Sequence, residues 1–246
     1  MRWGRLATSN YRGVCVPRAL GFVLIGAGAA WTALPALWGG GGSGAWATLT
    51  GMSLVFAAGL IDDLAPIGPR GLRNHLRALA QGHMTTGILK LMVVVASAVI
   101  VVTVLPTRPT WVRLSGIVLL AASANLCNGL DVRPGRAIKA AVIPGLAFGV
   151  WGTPADLPAV AGVLVASVLV LPLDLREVAM LGDGGANLLG FAVGLAMYDL
   201  LPNGGVPVAA LLVTAANVVA ETVTLSRVIG SVPALRWVDR LGRRRA

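Results

Sequence analysis

Long apolar runs alternate with short polar breaks along the whole chain. About 20 apolar residues carry a helix across the hydrocarbon of a bilayer, and fewer suffice where protein covers the ends. On that measure eight spans are expected, near 16–38, 45–61, 86–106, 112–128, 137–152, 157–173, 185–201 and 206–225. The fifth and seventh are short and carry glycine. Three of the runs meet acids at an end. The second closes on Gly59-Leu60-Ile61-Asp62-Asp63-Leu64, the fourth on Asn125-Leu126-Cys127-Asn128-Gly129-Leu130-Asp131, and the seventh opens from Leu181-Gly182-Asp183-Gly184-Gly185-Ala186-Asn187. A charge in hydrocarbon costs about 2.5–3.5 kcal/mol even on the lenient insertion scale, so each acid is expected at a membrane surface. With eight crossings all three stretches share one face, and four aspartates converge there.

Composition agrees with the pattern. The 246 residues are 56% hydrophobic and 12% charged, with a mean hydropathy of +0.80, against about 25% charged in soluble domains. The expected fold is all-α: a polytopic integral membrane protein of about eight transmembrane helices, one domain over residues 1–246 with a basic tail over 226–246. The basic start (Arg2, Arg5, Arg12, Arg18) and the first run resemble a secretory signal. That run exceeds the usual apolar core of about 7–15 residues, which makes it a signal-anchor and first span.

Lys and Arg accumulate on the cytoplasmic side of membrane proteins. With the N-terminus inside, all of the 20 basic residues except Arg108 and Arg113 fall in cytoplasmic segments. Both termini are therefore expected in the cytoplasm. Five of the seven tryptophans (Trp31, Trp38, Trp46, Trp111, Trp151) then lie near the outer boundary, as an aromatic belt. The net charge of +10 gathers on the inner face, where its expected partners are anionic membrane lipids and not nucleic acid. Cys15 and Cys127 fall near cytoplasmic ends, which argues against a structural disulfide.

Those charges and polar residues carry the candidate chemistry. Asp62 and Asp63 project about 100° apart on a helix end, so they are expected to differ in role, one facing the site and the other held by a cation. The basic loop from Pro66 to Lys90 contains Arg73, His75, Arg77, His83, Thr85 and Thr86, and suits an amphipathic surface helix or part of a phosphate site. His75 and His83 lack the i, i+4 spacing of a metal pair on a helix. Asn125, Asn128 and Asp131 recur at three-residue spacing along one face. Pro134 suits the first turn of the fifth span, and Arg133, Arg136 and Lys139 around that helix start make a phosphate cradle. Asp183, in a glycine-rich turn, is the preferred ligand for Mg²⁺, with Asp131 next, because hard cations take carboxylate, phosphate and water oxygens. Glu221, about one turn from the inner end of the eighth span, is positioned to cap the site from the side.

These three acidic stretches, in this order and on one face, resemble the polyprenyl-phosphate N-acetylhexosamine-1-phosphate transferases, the family that includes phospho-N-acetylmuramoyl-pentapeptide transferase. Asn10-Tyr11-Arg12-Gly13-Val14-Cys15-Val16-Pro17 is similar to that family's early basic-Gly…Pro segment, and the likeness covers about residues 10–195. The resemblance implies transfer of a sugar 1-phosphate from a UDP-sugar to polyprenyl phosphate (undecaprenyl or decaprenyl) on the cytoplasmic leaflet of the plasma membrane, releasing UMP, with Mg²⁺. It implies Asp62, Asp63 and Asp131 as catalytic residues and Asp183 with Asp131 as metal ligands. Arg12, Lys90, Asn125, Asn128, Arg133, Arg136, Lys139 and Asn187 are the expected substrate-binding residues. A homodimer is compatible with this reading. Two departures stand out: Asn128 replaces an acid of the middle motif, and no histidine follows His83. They motivate the alternative of a non-catalytic polyprenyl-phosphate-binding scaffold or regulator of envelope assembly. A transporter is disfavoured, since its charges would sit near the bilayer midplane.

Overall fold

The computed structural model describes residues 6–65, 72–151, 157–222 and 225–243. Arg2, Arg5, Arg70, Asp156, Arg244 and Arg245 lie outside them, as do the side chains of Arg73, Trp151 and Glu221.

A short antiparallel hairpin, β1 (Ala7–Ser9) and β2 (Cys15–Pro17), opens the described chain. Helices follow: α1 (Leu20–Ala36), α2 (Ser43–Leu64), α3 (Leu72–Ala80), α4 (Thr86–Val104), α5 (Thr110–Leu130), α6 (Arg136–Trp151), α7 (Pro158–Leu175), α8 (Gly182–Leu200), α9 (Gly205–Thr222), α10 (Leu225–Ser231) and α11 (Pro233–Arg240). Each of the eight apolar runs forms one helix, and the fold is all-α apart from the hairpin. Of these helices, α2, α4, α5 and α7 are long and apolar enough to cross a membrane, while α1 is apolar but shorter. α9 joins them only together with α10, from which it is bent by 102°.

Two boundaries differ from expectation. The first run does not begin its helix at residue 16, because Cys15–Pro17 is paired as strand and continues the pairing into the chain before α8, with Met180 donating to the Pro17 carbonyl at 3.0 Å. Pro134 precedes α6 and does not occupy its first turn. Gly135, at φ 71°, makes a turn there that residues with a Cβ rarely adopt.

α8 is the central helix, packed against α1, α2, α5, α6 and α7 and buried along nearly its whole length. Its first turns are rich in glycine because neighbouring backbones come close. A Cβ on Gly59 of α2 would stand 2.6 Å from the Asp183 carbonyl oxygen, and one on Gly21 of α1 would stand 2.7 Å from the Gly185 nitrogen. Gly190 faces Ser123 and Cys127 of α5 with no room for a methyl. Large apolar residues elsewhere point outward, among them Leu114, Leu146, Leu169, Leu211 and Leu212, which suits helices whose outer solvent is lipid.

The two ends of α8 meet side chains of opposite charge, although its own last turn also carries Asp199. Asp183 lies in its first turn. At the other end Arg108 donates to the carbonyls of Asp199 (2.9 Å) and Leu201 (3.0 Å) while resting over the Tyr198 ring. Both placements complement the helix dipole.

Candidate active site

The end of the bundle around Asp183 collects the C-terminus of α2, the N-termini of α4 and α8, and the turns after α5 and α7. Asp62 and Asp63 share a helix end but turn apart, as their spacing predicts. Asp63 faces inward, its side chain only 3% exposed, with Arg18 Nη1 at 2.8 Å from Oδ1. Its Oδ2 accepts from the Gly184 N–H at 3.1 Å. A free N–H of α8 is thereby satisfied by a carboxylate from another helix, doing the work of an N-cap.

Asp62 turns toward the site. It accepts from the Thr86 hydroxyl and, through Oδ2, from Lys90 Nζ at 2.8 Å. The same ammonium reaches Asp183 Oδ2 at 2.7 Å, so Lys90 bridges the acids of α2 and α8. Asn128 adds its amide to Asp183 Oδ2 at 3.5 Å. Asp183 is the most open of the three acids, its side chain 36% exposed against 16% for Asp62.

Asp131 stands just past α5, close enough to feel Asp174, Asp183 and Asp63. Burial pushes its carboxyl well above the usual carboxylate range, and the three neighbouring acids push the same way. A cleft of about 350 Å³ lies between the hairpin, this turn and the turn after α7, lined by Tyr11, Asp131, Arg133, Asp174, Glu177 and Met180 among others. On its rim Arg133 rests over the Tyr11 ring at 4.4 Å. Arg12 pairs with Glu177 at 3.4 Å, and Asn10 donates to the same carboxylate. Glu177 holds a left-handed backbone, φ 58°.

Not every expected residue joins this group. Asn125 faces α9 and donates to Asn217 at 2.6 Å. Asn187 is buried and donates to the Asp183 carbonyl at 2.6 Å, shaping the first turn of α8. Arg136 and Lys139 turn away, toward the C-terminal segment: Arg136 pairs with Asp239 at 2.8 Å, and Lys139 donates to the carbonyls of Val238, Asp239 and Leu241. The expected anion at the start of α6 is supplied by the protein, since Asp174 accepts from the Gly135 N–H at 2.7 Å. His75 hydrogen-bonds Thr85 at 2.9 Å.

Arg18, Thr86, Asp174 and Glu177 were not singled out as site residues by the sequence. Asp174 carried the same signal as the others, an acid ending an apolar run. Thr86 was noted only as part of a polar loop and Arg18 only as part of the basic start, because their partners lie 24 and 45 residues away.

A part-buried cluster of four acids is a place where a divalent ion is favourable. Lys90 and Arg18 are the cations paired with Asp62, Asp63 and Asp183 among the described residues. No three His, Cys, Asp or Glu side chains among those residues form a cage by themselves. Mg²⁺ does not need one, since it takes one or two carboxylates and completes its shell with phosphates and water. The open Asp183 and the cation-starved Asp131 fit that donor set.

The family model described as glycosyl transferase family 4 matches residues 45–201, from the start of α2 to the end of α8. The chain belongs to glycosyl transferase family 4. Comparison with curated proteins and with solved structures gives no match. The matched segment contains Asp62, Asp63, Lys90, Asn128, Asp131 and Asp183. The hairpin with Tyr11 and Arg12, and the C-terminal segment that engages Arg136 and Lys139, lie outside it.

Proposed function

We propose that this family 4 member transfers a sugar 1-phosphate, an N-acetylhexosamine 1-phosphate by preference, from a UDP-sugar to polyprenyl phosphate and releases UMP. The observation that carries the reading is the joining of Asp62 and Asp183 by Lys90 at the glycine-rich start of α8. In this reading eight helices cross the plasma membrane, both termini are cytoplasmic, and the site opens at the cytoplasmic leaflet in the service of envelope glycan synthesis.

Lipid phosphate carries about −1.5 to −2 charges at neutral pH, so its approach to a diphosphate is opposed by like charge. Asp183 and Asp131 would hold Mg²⁺, which when bound supplies positive charge for the diphosphate oxygens. Lys90 places an ammonium beside the same oxygens and orients Asp62. Asp62 needs no proton to abstract from a nucleophile already ionised, and its role is to position the lipid phosphate. Asp63 acts through the fold by holding the first turn of α8. Arg12 and Arg133, on the cleft rim, offer charge to the leaving nucleotide, and Asn128 keeps Asp183 aimed.

One feature favours the second reading, a non-catalytic polyprenyl-phosphate-binding scaffold: Arg136 and Lys139, expected to cradle a phosphate, are held by the tail. The two are separated by UMP release from purified protein in nanodiscs with undecaprenyl or decaprenyl phosphate, Mg²⁺ and a panel of UDP-N-acetylhexosamines. UMP that appears with one donor, requires lipid and metal, and is lost in Asp183→Asn supports the transferase. No UMP from protein that binds polyprenyl phosphate overturns it in favour of the scaffold.

A further inference from the structure

The last helix of the described chain is turned inside out for a helix in water. α11 is strongly amphipathic, yet Asp239 is its one residue that is not exposed, while Leu235, Trp237 and Val238 are open, Trp237 to 66%. Leu241, the next residue, is also open. A helix packed on a water-soluble core buries its apolar side and shows its charges. Here the acid is drawn in, to Arg136 at 2.8 Å and to Arg243, and the apolar side is left out.

The attachment is extensive. Lys139 gathers the carbonyls of Val238, Asp239 and Leu241 at 2.8–3.0 Å, closing the C-terminal end of the helix as a cation should. Arg243 donates to the Pro134 carbonyl at 3.0 Å. These contacts fix α11 against the start of α6, at the end of the bundle that carries Asp183. The preceding helix, α10, is bent by 102° from α9. Arg227, Arg236 and Arg240 are exposed on this segment.

We propose that α11 is an in-plane helix seated on the anionic headgroups of the leaflet nearest the site. Trp237, Leu235, Val238 and Leu241 enter the boundary between headgroups and acyl chains, and Arg236 and Arg240, along the opposite edge, meet lipid phosphates. Its apolar residues are open, and its charge complements an acidic leaflet. The seat also bears on the turn before α6: Asp239 and Arg243 tie the lipid-bound helix to Arg136 and Pro134, a few residues from Asp131 and Arg133.

Hydrogen exchange of the full chain tests this, in nanodiscs of phosphatidylcholine alone and of phosphatidylcholine with phosphatidylglycerol, reading the peptide that covers Pro233–Arg240. Exchange is expected to be slower with the anionic lipid, and that difference to shrink about fivefold for each of Arg236→Gln and Arg240→Gln. Trp237→Ser should raise exchange of this peptide in both lipids and leave α5 unchanged. Equal exchange in the two lipids, or indifference to Trp237→Ser, overturns the proposal. Protection in detergent that follows protein concentration and not lipid assigns the face to a second copy of the chain and overturns it as well.

Discussion

Asp62 and Asp63 are neighbours with different surroundings, and the difference predicts different failures. Removing Asp63 strands Arg18 and uncovers an N–H of α8. Breaking a buried pair on one side costs about 3–5 kcal/mol, and the one-quarter exposure of Arg18 places this pair near the lower figure. Asp63→Ala should therefore lower the thermal midpoint in detergent by several degrees along with activity. Asp62→Asn should lower the midpoint less, because Lys90 keeps Asp183 as a partner, while UMP release falls. Lys90→Met should cut turnover by about a hundredfold, the scale of losing a fixed donor to developing charge, with the protein still folded; turnover within a factor of two of wild type would remove Lys90 from the chemistry. The aspartates were legible because a carboxylate at the end of an apolar run has no cheap structural explanation. The cations were legible only as a crowd: nothing local distinguishes Lys90, which reaches two acids, from Lys139, which closes a distant helix.

Between helices the deciding quantity is how closely backbones approach. Gly190 faces α5 with no space for a methyl, whereas a Cβ on Gly26 of α1 would meet nothing within 4 Å. Gly190→Ala should destabilise by about 1–3 kcal/mol through overpacking. Gly26→Ala should stabilise by up to about 1 kcal/mol through helix propensity. Thermal unfolding of the two variants in one detergent gives the contrast directly, and equal shifts would mean that α5 and α8 do not cross at Gly190. The docking of α11 depends on pH with a definite sign. Burial alone would raise the Asp239 carboxyl, but Arg136 and Arg243 outweigh it and hold it below the ordinary carboxylate range. A depressed carboxylate stabilises docking when ionised, so the contribution is complete at neutral pH. It disappears as pH falls through the unfolded value near 4 and then the folded one. Protection of Pro233–Arg240 from hydrogen exchange, taken relative to the intrinsic rate at each pH, should fall in that window, and Asp239→Asn should show the low protection at neutral pH as well. Apolar runs of about 20 residues announced the helices, since length and composition suffice for a span. The β1–β2 hairpin was not announced: three-residue strands leave almost no pattern, and this pair is fixed by the chain before α8.

Across the whole molecule, the same end that gathers the acids also gathers the cations and the amphipathic helices α3 and α11, while Arg108 stands at the opposite end of α8. The charge bias in the sequence therefore describes one physical face, although the structures of the loops that carry it were not legible. If that face is cytoplasmic, its native thiols report it. Cys15 is exposed and belongs to the strand that pairs beside Met180, and Cys127 is buried. A membrane-impermeant maleimide should leave Cys15 unlabelled in intact cells and label it once the membrane is opened. Trp38, 79% exposed beyond the far end of α1, provides the opposite reporter: Trp38→Cys in a Cys15→Ser background should label in intact cells. Reversed labelling would put Asp62, Asp131 and Asp183 on the outer face, away from the cytoplasmic supply of nucleotide sugar that the proposed reaction requires. The transferase reading would then fall whatever the geometry of the site, because the acids would have no donor to act on.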